Sequence, residues 1–207
     1  MYREVEFAIT TFCQAKCPSC VRTMLVKRNK LKPYHISADV YKTVANNLTG
    51  VNLVSLCGEA GDPLMHPEID DIIDCFLEKK LDIYVHTNAG LRDPSFFRKY
   101  AKKGVNFDFG IDGMDAETNN MYRIGVNFDK AWENMHAYFD EVKQTNRKMG
   151  LWSYLIFSWN KHTIHDVYNY AKSNNIPINF KINSRKDVGY VGHEEELRLA
   201  EVINGFV

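Results

Sequence analysis

The sequence lacks long apolar runs and any surplus of charge of one sign. No stretch of the 207 residues approaches the roughly 20 consecutive apolar residues that a membrane-spanning helix needs. Acidic and basic residues balance at 26 each, so no global field favours a nucleic acid or an anionic membrane surface. We therefore expect neither a membrane nor a nucleic acid as a partner.

Cysteine is also scarce, which disfavours a small secreted domain held together by disulfides. Only five cysteines occur, an odd number, and the first residues do not resemble a secretory signal peptide. The expected location is therefore cytoplasmic. Linkers and low-complexity segments are absent as well. A chain of 207 residues with 45% apolar content suits one core, and a single domain over residues 1–207 is predicted.

Three of the five cysteines lie close together, with the spacing C-x3-C-x2-C. Cys13, Cys17 and Cys20 follow a first apolar run, in a loop short enough to turn all three sulfurs toward one point. Thiolates are the ligands that iron-sulfur clusters and zinc select. A structural zinc ion takes four ligands, and the next candidates, His35 and Cys57, lie at no recognised spacing. The pattern favours a 4Fe-4S cluster with one iron left free.

Strand and helix periodicities alternate along the chain. Strands are predicted at about residues 4–10, 51–56, 81–86, 105–111, 150–159 and 178–182. Helices are predicted at about residues 37–48, 69–77, 94–103, 128–143, 162–173 and 194–204. The basic stretch 22–32 lacks a clear apolar period and is predicted to be a loop.

Alternating strands and helices predict an α/β fold with a parallel sheet and helices outside. Either an open doubly wound sheet or a barrel fits this order. Because a complete eight-unit barrel takes about 250 residues, a partial, open six-unit (βα)6 TIM-like barrel is the better fit. In both arrangements the loops after the strands converge on one mouth, where a functional site is expected.

The cysteine loop after a first strand resembles the cluster-binding signature of the radical S-adenosylmethionine (SAM) superfamily. In that family the free iron of the cluster chelates the amino and carboxylate groups of SAM. The resemblance implies that Cys13, Cys17 and Cys20 hold a 4Fe-4S cluster, and that SAM is the second cofactor. It also implies the partial barrel and a one-electron reductant such as flavodoxin or ferredoxin. Ser19 stands where the family often has an aromatic residue.

The loop after the second strand resembles the Gly-Gly-Glu-Pro motif of the same family, which holds the amino group of SAM. Gly61, Asp62 and Pro63 stand in the matching place, with aspartate instead of glutamate. Gly58 and Glu59 precede them, and Glu59 is a competing acceptor for the ammonium group. Glycines in such a loop allow its backbone to approach a ligand closely.

Three further residues are implied as SAM contacts by the resemblance. Asn88 lies in a segment similar to a Thr-Asn-Gly element and either braces the neighbouring loop or reaches the cofactor. The segment Gly110–Gly113 resembles a Ser-Ile-Asp-Gly element in which Gly110 replaces the serine. Its Asp112 either binds a ribose hydroxyl or caps the loop. Arg123 matches the arginine that pairs with the SAM carboxylate, a task that suits its planar fork, and the alternative is an interhelical surface salt bridge.

The resemblance implies a minimal radical SAM enzyme of oxidoreductase or transferase type. Such an enzyme cleaves SAM reductively and uses the 5′-deoxyadenosyl radical to take hydrogen from its substrate. A peptide or protein side chain is the first expectation for that substrate, and a small metabolite or nucleotide is the second. A glycyl-radical activating enzyme with a large partner protein shares these features. A metal-binding interaction module is the non-enzymatic alternative.

The sequence does not identify a catalytic residue or the substrate. Ser153, Tyr154 and Asn183 on the last two strands are candidates to face substrate or adenine, but alternation leaves their face open. No cysteine follows Cys75, so cysteine-ligated auxiliary clusters and a SPASM or twitch extension are not expected.

Overall fold

The computed structural model describes residues 3–57, 60–145, 149–183 and 185–206. Its centre is one sheet of six parallel strands that lie side by side in chain order. The strands are β1 (Glu4–Phe7), β2 (Leu53–Leu56), β3 (Asp82–Thr87), β4 (Asn106–Gly110), β5 (Leu151–Ile156) and β6 (Ile178–Ile182). This order confirms the predicted α/β fold, a partial TIM-like barrel that stays open between β1 and β6.

Helices connect successive strands and bury their apolar faces. They are α1 (Val21–Lys27), α2 (Ala38–Asn47), α3 (Ile69–Glu78), α4 (Pro94–Lys103), α5 (Ala116–Asn120), α6 (Phe128–Val142), α7 (Ile164–Ser173) and α8 (His193–Asn204). Short 3-10 helices form at Pro63–Met65 and Lys161–Thr163. Among the helices of the described segments, none is long and apolar enough to cross a bilayer.

Several helix boundaries follow from local sequence signals. The Ser37 hydroxyl accepts a hydrogen bond from the backbone N–H of Asp39 at 3.3 Å and so caps the start of α2. Pro94 occupies the first turn of α4, where a missing N–H costs nothing. Gly104 ends the same helix with φ of +88°, a conformation that favours glycine.

Strand β4 shows how the core positions the functional face of the sheet. Its Phe107 and Phe109 point toward the outer helices, with ring centroids 5.1 Å from Phe97 of α4 and 5.3 Å from Tyr138 of α6, respectively. Because side chains alternate along a strand, Asp108 and its neighbours at even positions face the other way. The aromatic packing outside the sheet therefore directs polar side chains inward.

Three local expectations were wrong or incomplete. The strand predicted at residues 150–159 ends at Ile156, where a turn leads into the 3-10 helix at Lys161–Thr163. The basic stretch predicted as a loop begins with helix α1, in which Thr23 is buried. Arg, Met, Leu and Lys are good helix formers, and Lys27 in the last turn suits the helix dipole. The first strand ends at Phe7 instead of Thr10, because Thr10 forms an isolated antiparallel bridge with His35.

Candidate functional site

The three clustered cysteines lie in the loop between β1 and α1 and line a common cavity of about 240 Å³. Their thiols are free, and Cys20 directly precedes the first turn of α1. The loop is held by backbone hydrogen bonds, including one from the N–H of Lys16 to the carbonyl of Ile124 at 2.8 Å. The structure thus brings the predicted ligands Cys13, Cys17 and Cys20 to one site.

The chemistry of this donor set fits a cluster better than a single ion. Three cysteine thiols line the cavity, whereas a structural zinc ion takes four ligands. Burial raises the pKa of Cys13 to about 12 and also raises the pKa of Cys17. Both thiols are therefore neutral without metal, and ligation would release their protons. Three soft ligands around a shared cavity suit a 4Fe-4S cluster.

The loop after β2 packs directly against the cysteine loop. The N–H of Asp62 donates to the carbonyl of Phe12 at 2.8 Å. A Cβ atom at Gly61 would lie 2.7 Å from the same carbonyl oxygen and would also overlap the carbonyl of Thr10. Glycine is therefore required at position 61 by the close approach of two backbone segments.

The substitution Gly61→Ala is expected to destabilise the protein by about 3 kcal/mol, because the methyl group meets backbone that cannot move independently. The control is Gly205→Ala, whose φ is −74° and whose Cβ would lie 3.3 Å from the Val202 carbonyl oxygen, a contact that a shift of a few tenths of an ångström relieves. We expect the control to destabilise the protein by less than about 1 kcal/mol. Urea unfolding followed by circular dichroism measures both, and equal midpoints for the two variants would refute this packing argument.

The carboxylate of Asp62 is almost completely buried, with 3% of the residue exposed, and lines the cavity. It accepts hydrogen bonds from the backbone N–H groups of Leu64 at 3.0 Å and Asn88 at 2.9 Å. The Thr87 hydroxyl and the Asn88 amide also donate to it, at 3.0 and 2.6 Å. Burial raises the pKa of Asp62 in spite of these donors. Pro63 begins the 3-10 helix beside it.

Asn88 connects this carboxylate to the cysteine loop. Its Oδ1 accepts from the Gln14 amide at 2.6 Å and from the N–H of Gly90 at 3.0 Å. Its Nδ2, which donates to Asp62, lies 3.8 Å from the sulfur of Cys13. Asn88 therefore braces the neighbouring loops, one of the two roles expected from the sequence.

Asp112 and Arg123 form a buried ion pair at the end of β4. Arg123 Nε donates to Asp112 Oδ2 at 2.7 Å, and the side chains are 21% and 1% exposed, respectively. Asp112 Oδ1 accepts from the N–H of Leu155 at 2.9 Å, which ties the pair to β5. Burial acts to lower the pKa of Arg123, but the Asp112 carboxylate, together with Cys17 and Tyr122, raises this pKa. The salt bridge considered from the sequence for Arg123 was an interhelical surface one, whereas this pair joins Arg123 to a buried carboxylate that follows β4.

Gly110 provides the space that this arginine occupies. A Cβ atom at position 110 would lie 2.9 Å from Arg123 Nη2. The related motif has serine at this position. A serine side chain here would displace the guanidinium group of Arg123, which explains why glycine suits this chain. Arg123 lines the cavity of the three thiols and also a second, larger cavity.

The larger cavity has a volume of about 620 Å³ and shares Cys17, Cys20 and Arg123 with the smaller one. Its other lining residues are largely apolar, together with a second arginine: Val21, Leu25, Ala60, Tyr122, Leu155, Ile182, Asn183 and Arg185. Arg185 also donates to the carbonyl of Ser19 and so links the segment after β6 to the cysteine loop. A cavity of this volume is within the range of small-molecule and cofactor sites.

Gly58 and Glu59, predicted to contribute to the SAM site, lie outside the described residues. Among the candidates on the last strands, Ser153 and Asn183 line the smaller and the larger cavity, respectively. Tyr154 lies on the other face of β5, where its hydroxyl is 2.9 Å from that of Thr163.

Sequence reasoning missed three polar residues that line the smaller cavity. They are His86, Asp108 and Lys181, on β3, β4 and β6. The alternation of β4 contained a signal, because Asp108 lies between two phenylalanines and must face away from them. The sequence did not show that the cysteine loop closes over this face.

The family model described as the radical SAM superfamily matches residues 7–172. Among solved structures, SuiB of Streptococcus suis bound to S-adenosylmethionine matches with a TM-score of 0.77 and 18% identity, covering 100% of this chain and 48% of SuiB. The protein anSMEcpe with bound AdoMet matches with a TM-score of 0.75 and 15% identity, covering 100% of this chain and 60% of that one.

Methylornithine synthase (PylB) matches with a TM-score of 0.58 and 18% identity, covering 93% of this chain and 57% of PylB. The chain thus spans between about half and three fifths of the length of these proteins. A comparison with curated proteins found no match. The structural likeness supports the partial barrel, and the family model covers most of the sequence. This chain belongs to the radical SAM superfamily.

Proposed function

We propose that this chain binds a 4Fe-4S cluster through Cys13, Cys17 and Cys20, binds SAM beside it, and abstracts hydrogen from a peptide or protein side chain. Superfamily members are enzymes that use these two cofactors. The observation that carries the proposal is the convergence of three free thiols on a cavity that also contains Asp62 and Arg123.

The polar groups around the thiols suit the two charged ends of an amino acid. The Asp62 carboxyl group lines the cavity as an acceptor for an ammonium group, and Asn88 holds it against the cysteine loop. Arg123 keeps Nη1 without a hydrogen-bond partner in the described part of the chain, although Nε is engaged by Asp112. In this proposal Nη1 and Nη2 take the SAM carboxylate, and Asp112 positions the guanidinium group.

The larger cavity is the proposed site of the nucleoside part of SAM. Leu155 and Ile182 supply apolar surface, and Tyr122 supplies an aromatic ring at the same wall. When bound by Cys13, Cys17 and Cys20, a cluster would supply the electron for the reductive cleavage of SAM. The chain's own contribution is to align SAM, to position the substrate and to exclude water from the radical.

A peptide substrate is supported by the structural relatives. SuiB is known in complex with precursor peptide SuiA, and anSMEcpe with the Cp18Cys peptide. A small metabolite is the second candidate, supported by the weaker likeness to methylornithine synthase. The flavodoxin or ferredoxin reductant, the cytoplasmic location and the single domain over residues 1–207 stay predictions.

The proposed function is tested by anaerobic reconstitution with iron and sulfide, followed by reduction and incubation with SAM. We expect 5′-deoxyadenosine and methionine in equal amounts, detected by mass spectrometry, even without substrate. Zinc in place of iron, or a loaded cluster that never yields 5′-deoxyadenosine under strong reduction, would refute the proposal.

A further inference from the structure

Four polar side chains from adjacent strands line the same cavity as the three thiols. His86, Asp108, Ser153 and Lys181 come from β3, β4, β5 and β6, and we call them the polar wall. None of the four was implied as a cluster or SAM ligand by the family motifs. A group bound against the polar wall therefore shares one cavity with the proposed cluster site.

Asp108 is the centre of the polar wall. Its Oδ2 lies 3.1 Å from His86 Nδ1 and 3.9 Å from Lys181 Nζ. Its side chain is 7% exposed, whereas those of His86 and Lys181 are 42% and 53% exposed. Burial alone would raise the pKa of Asp108, but the neighbouring His86, Ser153 and Lys181 hold it below its ordinary value. The carboxylate is therefore ionised at neutral pH.

Two buried oxygen atoms of the polar wall have no hydrogen-bond partner in the described part of the chain. They are Asp108 Oδ1 and Ser153 Oγ, in residues that are 6% and 8% exposed. Weak hydrogen bonding from the nearby Ser153 hydroxyl helps to lower the pKa of Asp108, but this contact lacks the distance and angle of a normal hydrogen bond. A buried polar atom without a partner costs free energy, so such atoms call for a ligand or a functional explanation.

We propose that the polar wall is the substrate-recognition subsite and that it binds a neutral amide group, such as a peptide bond or a carboxamide. The amide N–H would donate to Asp108 Oδ1 and Ser153 Oγ, and the ammonium group of Lys181 would donate to the amide carbonyl. This inference rests on the proposed function and adds to it the chemical class that the substrate presents.

The charge of the polar wall favours a neutral dipolar group over an ion. An anion would meet the Asp108 carboxylate, and a cation would meet the Lys181 ammonium group, which lies within 4 Å of the same carboxylate. An amide places a donor and an acceptor next to each other without net charge. This arrangement matches the two acceptor oxygens of Asp108 and Ser153 beside the half-exposed ammonium group of Lys181. A zwitterionic amino acid is the competing ligand that the experiment must separate from an amide.

The test uses the reconstituted chain with SAM and equilibrium dialysis against two probe sets, measured by mass spectrometry. One set is a panel of N-acetyl amino acid N-methylamides, and the other is the corresponding free amino acids. Ser153→Ala and Lys181→Met are compared with wild type. Lys130→Met is the matched control, because Lys130 pairs with Asp93 at 3.0 Å and lines neither cavity.

We expect wild type and Lys130→Met to retain blocked amides, and each polar-wall variant to bind them at least about fivefold more weakly. Ser153→Ala should lower the melting temperature by no more than about 1 °C, because its hydroxyl makes no hydrogen bond of normal geometry in the described part of the chain. A structural role for Ser153 would instead reduce stability.

Retention of free amino acids but not amides, equal binding by all variants, or no amide binding by wild type would each overturn the inference. The same preparation is assayed for 5′-deoxyadenosine, so the two proposals fail separately. Amide binding without SAM cleavage refutes the proposed function and keeps the subsite. SAM cleavage without amide binding refutes the subsite alone.

Discussion

Cys17→Ala is expected to reduce the iron content after reconstitution to background and to abolish formation of 5′-deoxyadenosine. Cys17 lines both cavities, so the loss of its thiolate removes one of three ligands where the two proposed cofactor sites meet. Changes to groups outside the ligand set commonly cost about 10- to 100-fold in metal affinity, and loss of a ligand costs more. Iron analysis and the visible absorption of the cluster measure the effect.

Cys75→Ala is the matched control for this prediction. Cys75 is buried in α3, its thiol lies 3.1 Å from the carbonyl of Ile72, and it lines neither cavity. We expect this variant to load iron and cleave SAM as wild type does. A Cys17→Ala protein that retains a full cluster, or a Cys75→Ala protein that folds but loses it, would show that the ligand set is assigned incorrectly.

Arg123→Met is expected to lower the free energy of unfolding by about 3 kcal/mol and to weaken SAM binding at least tenfold. The first effect follows because Asp112, with 1% of its side chain exposed, is left buried without the cation that it pairs with. The second follows if the free guanidinium donors take the SAM carboxylate, since charge-assisted bidentate hydrogen bonds are among the strongest. Urea unfolding and equilibrium dialysis with SAM measure the two effects independently.

The double variant Arg123→Met with Asp112→Asn separates these two roles. Asparagine at position 112 has no charge to compensate and keeps an oxygen for the N–H of Leu155. We expect it to recover part of the lost stability but none of the SAM affinity. If SAM binding returned together with stability, Arg123 would act only by holding Asp112 and the end of β4, and its proposed contact with the SAM carboxylate would be wrong.

Local signals in the sequence were sufficient for most of the fold. The cap at Ser37, the proline and glycine that bound α4, and the short apolar strands all act within a few residues of each other. Parallel order then follows from the alternation of strands and helices. Helix α1 was missed because its basic residues concealed a run of good helix formers.

The candidate site was predictable only where a motif has fixed spacing. The cysteine loop and the Gly61–Pro63 segment have such spacing, and the structure brings both to one cavity. The ion pair of Asp112 with Arg123 and the contact of Asp108 with Lys181 depend on tertiary geometry. Neither the 11-residue separation of the first pair nor the distance between β4 and β6 in the sequence indicates these contacts.

Electron paramagnetic resonance of the reduced, reconstituted protein tests the central claim most directly. The claim is that three cysteines leave one iron of a 4Fe-4S cluster free for SAM. We expect a reduced-cluster signal whose g values change when SAM is added, because the free iron gains new ligands. A cluster signal that SAM leaves unchanged, or a reconstituted protein without any cluster signal, would contradict the account.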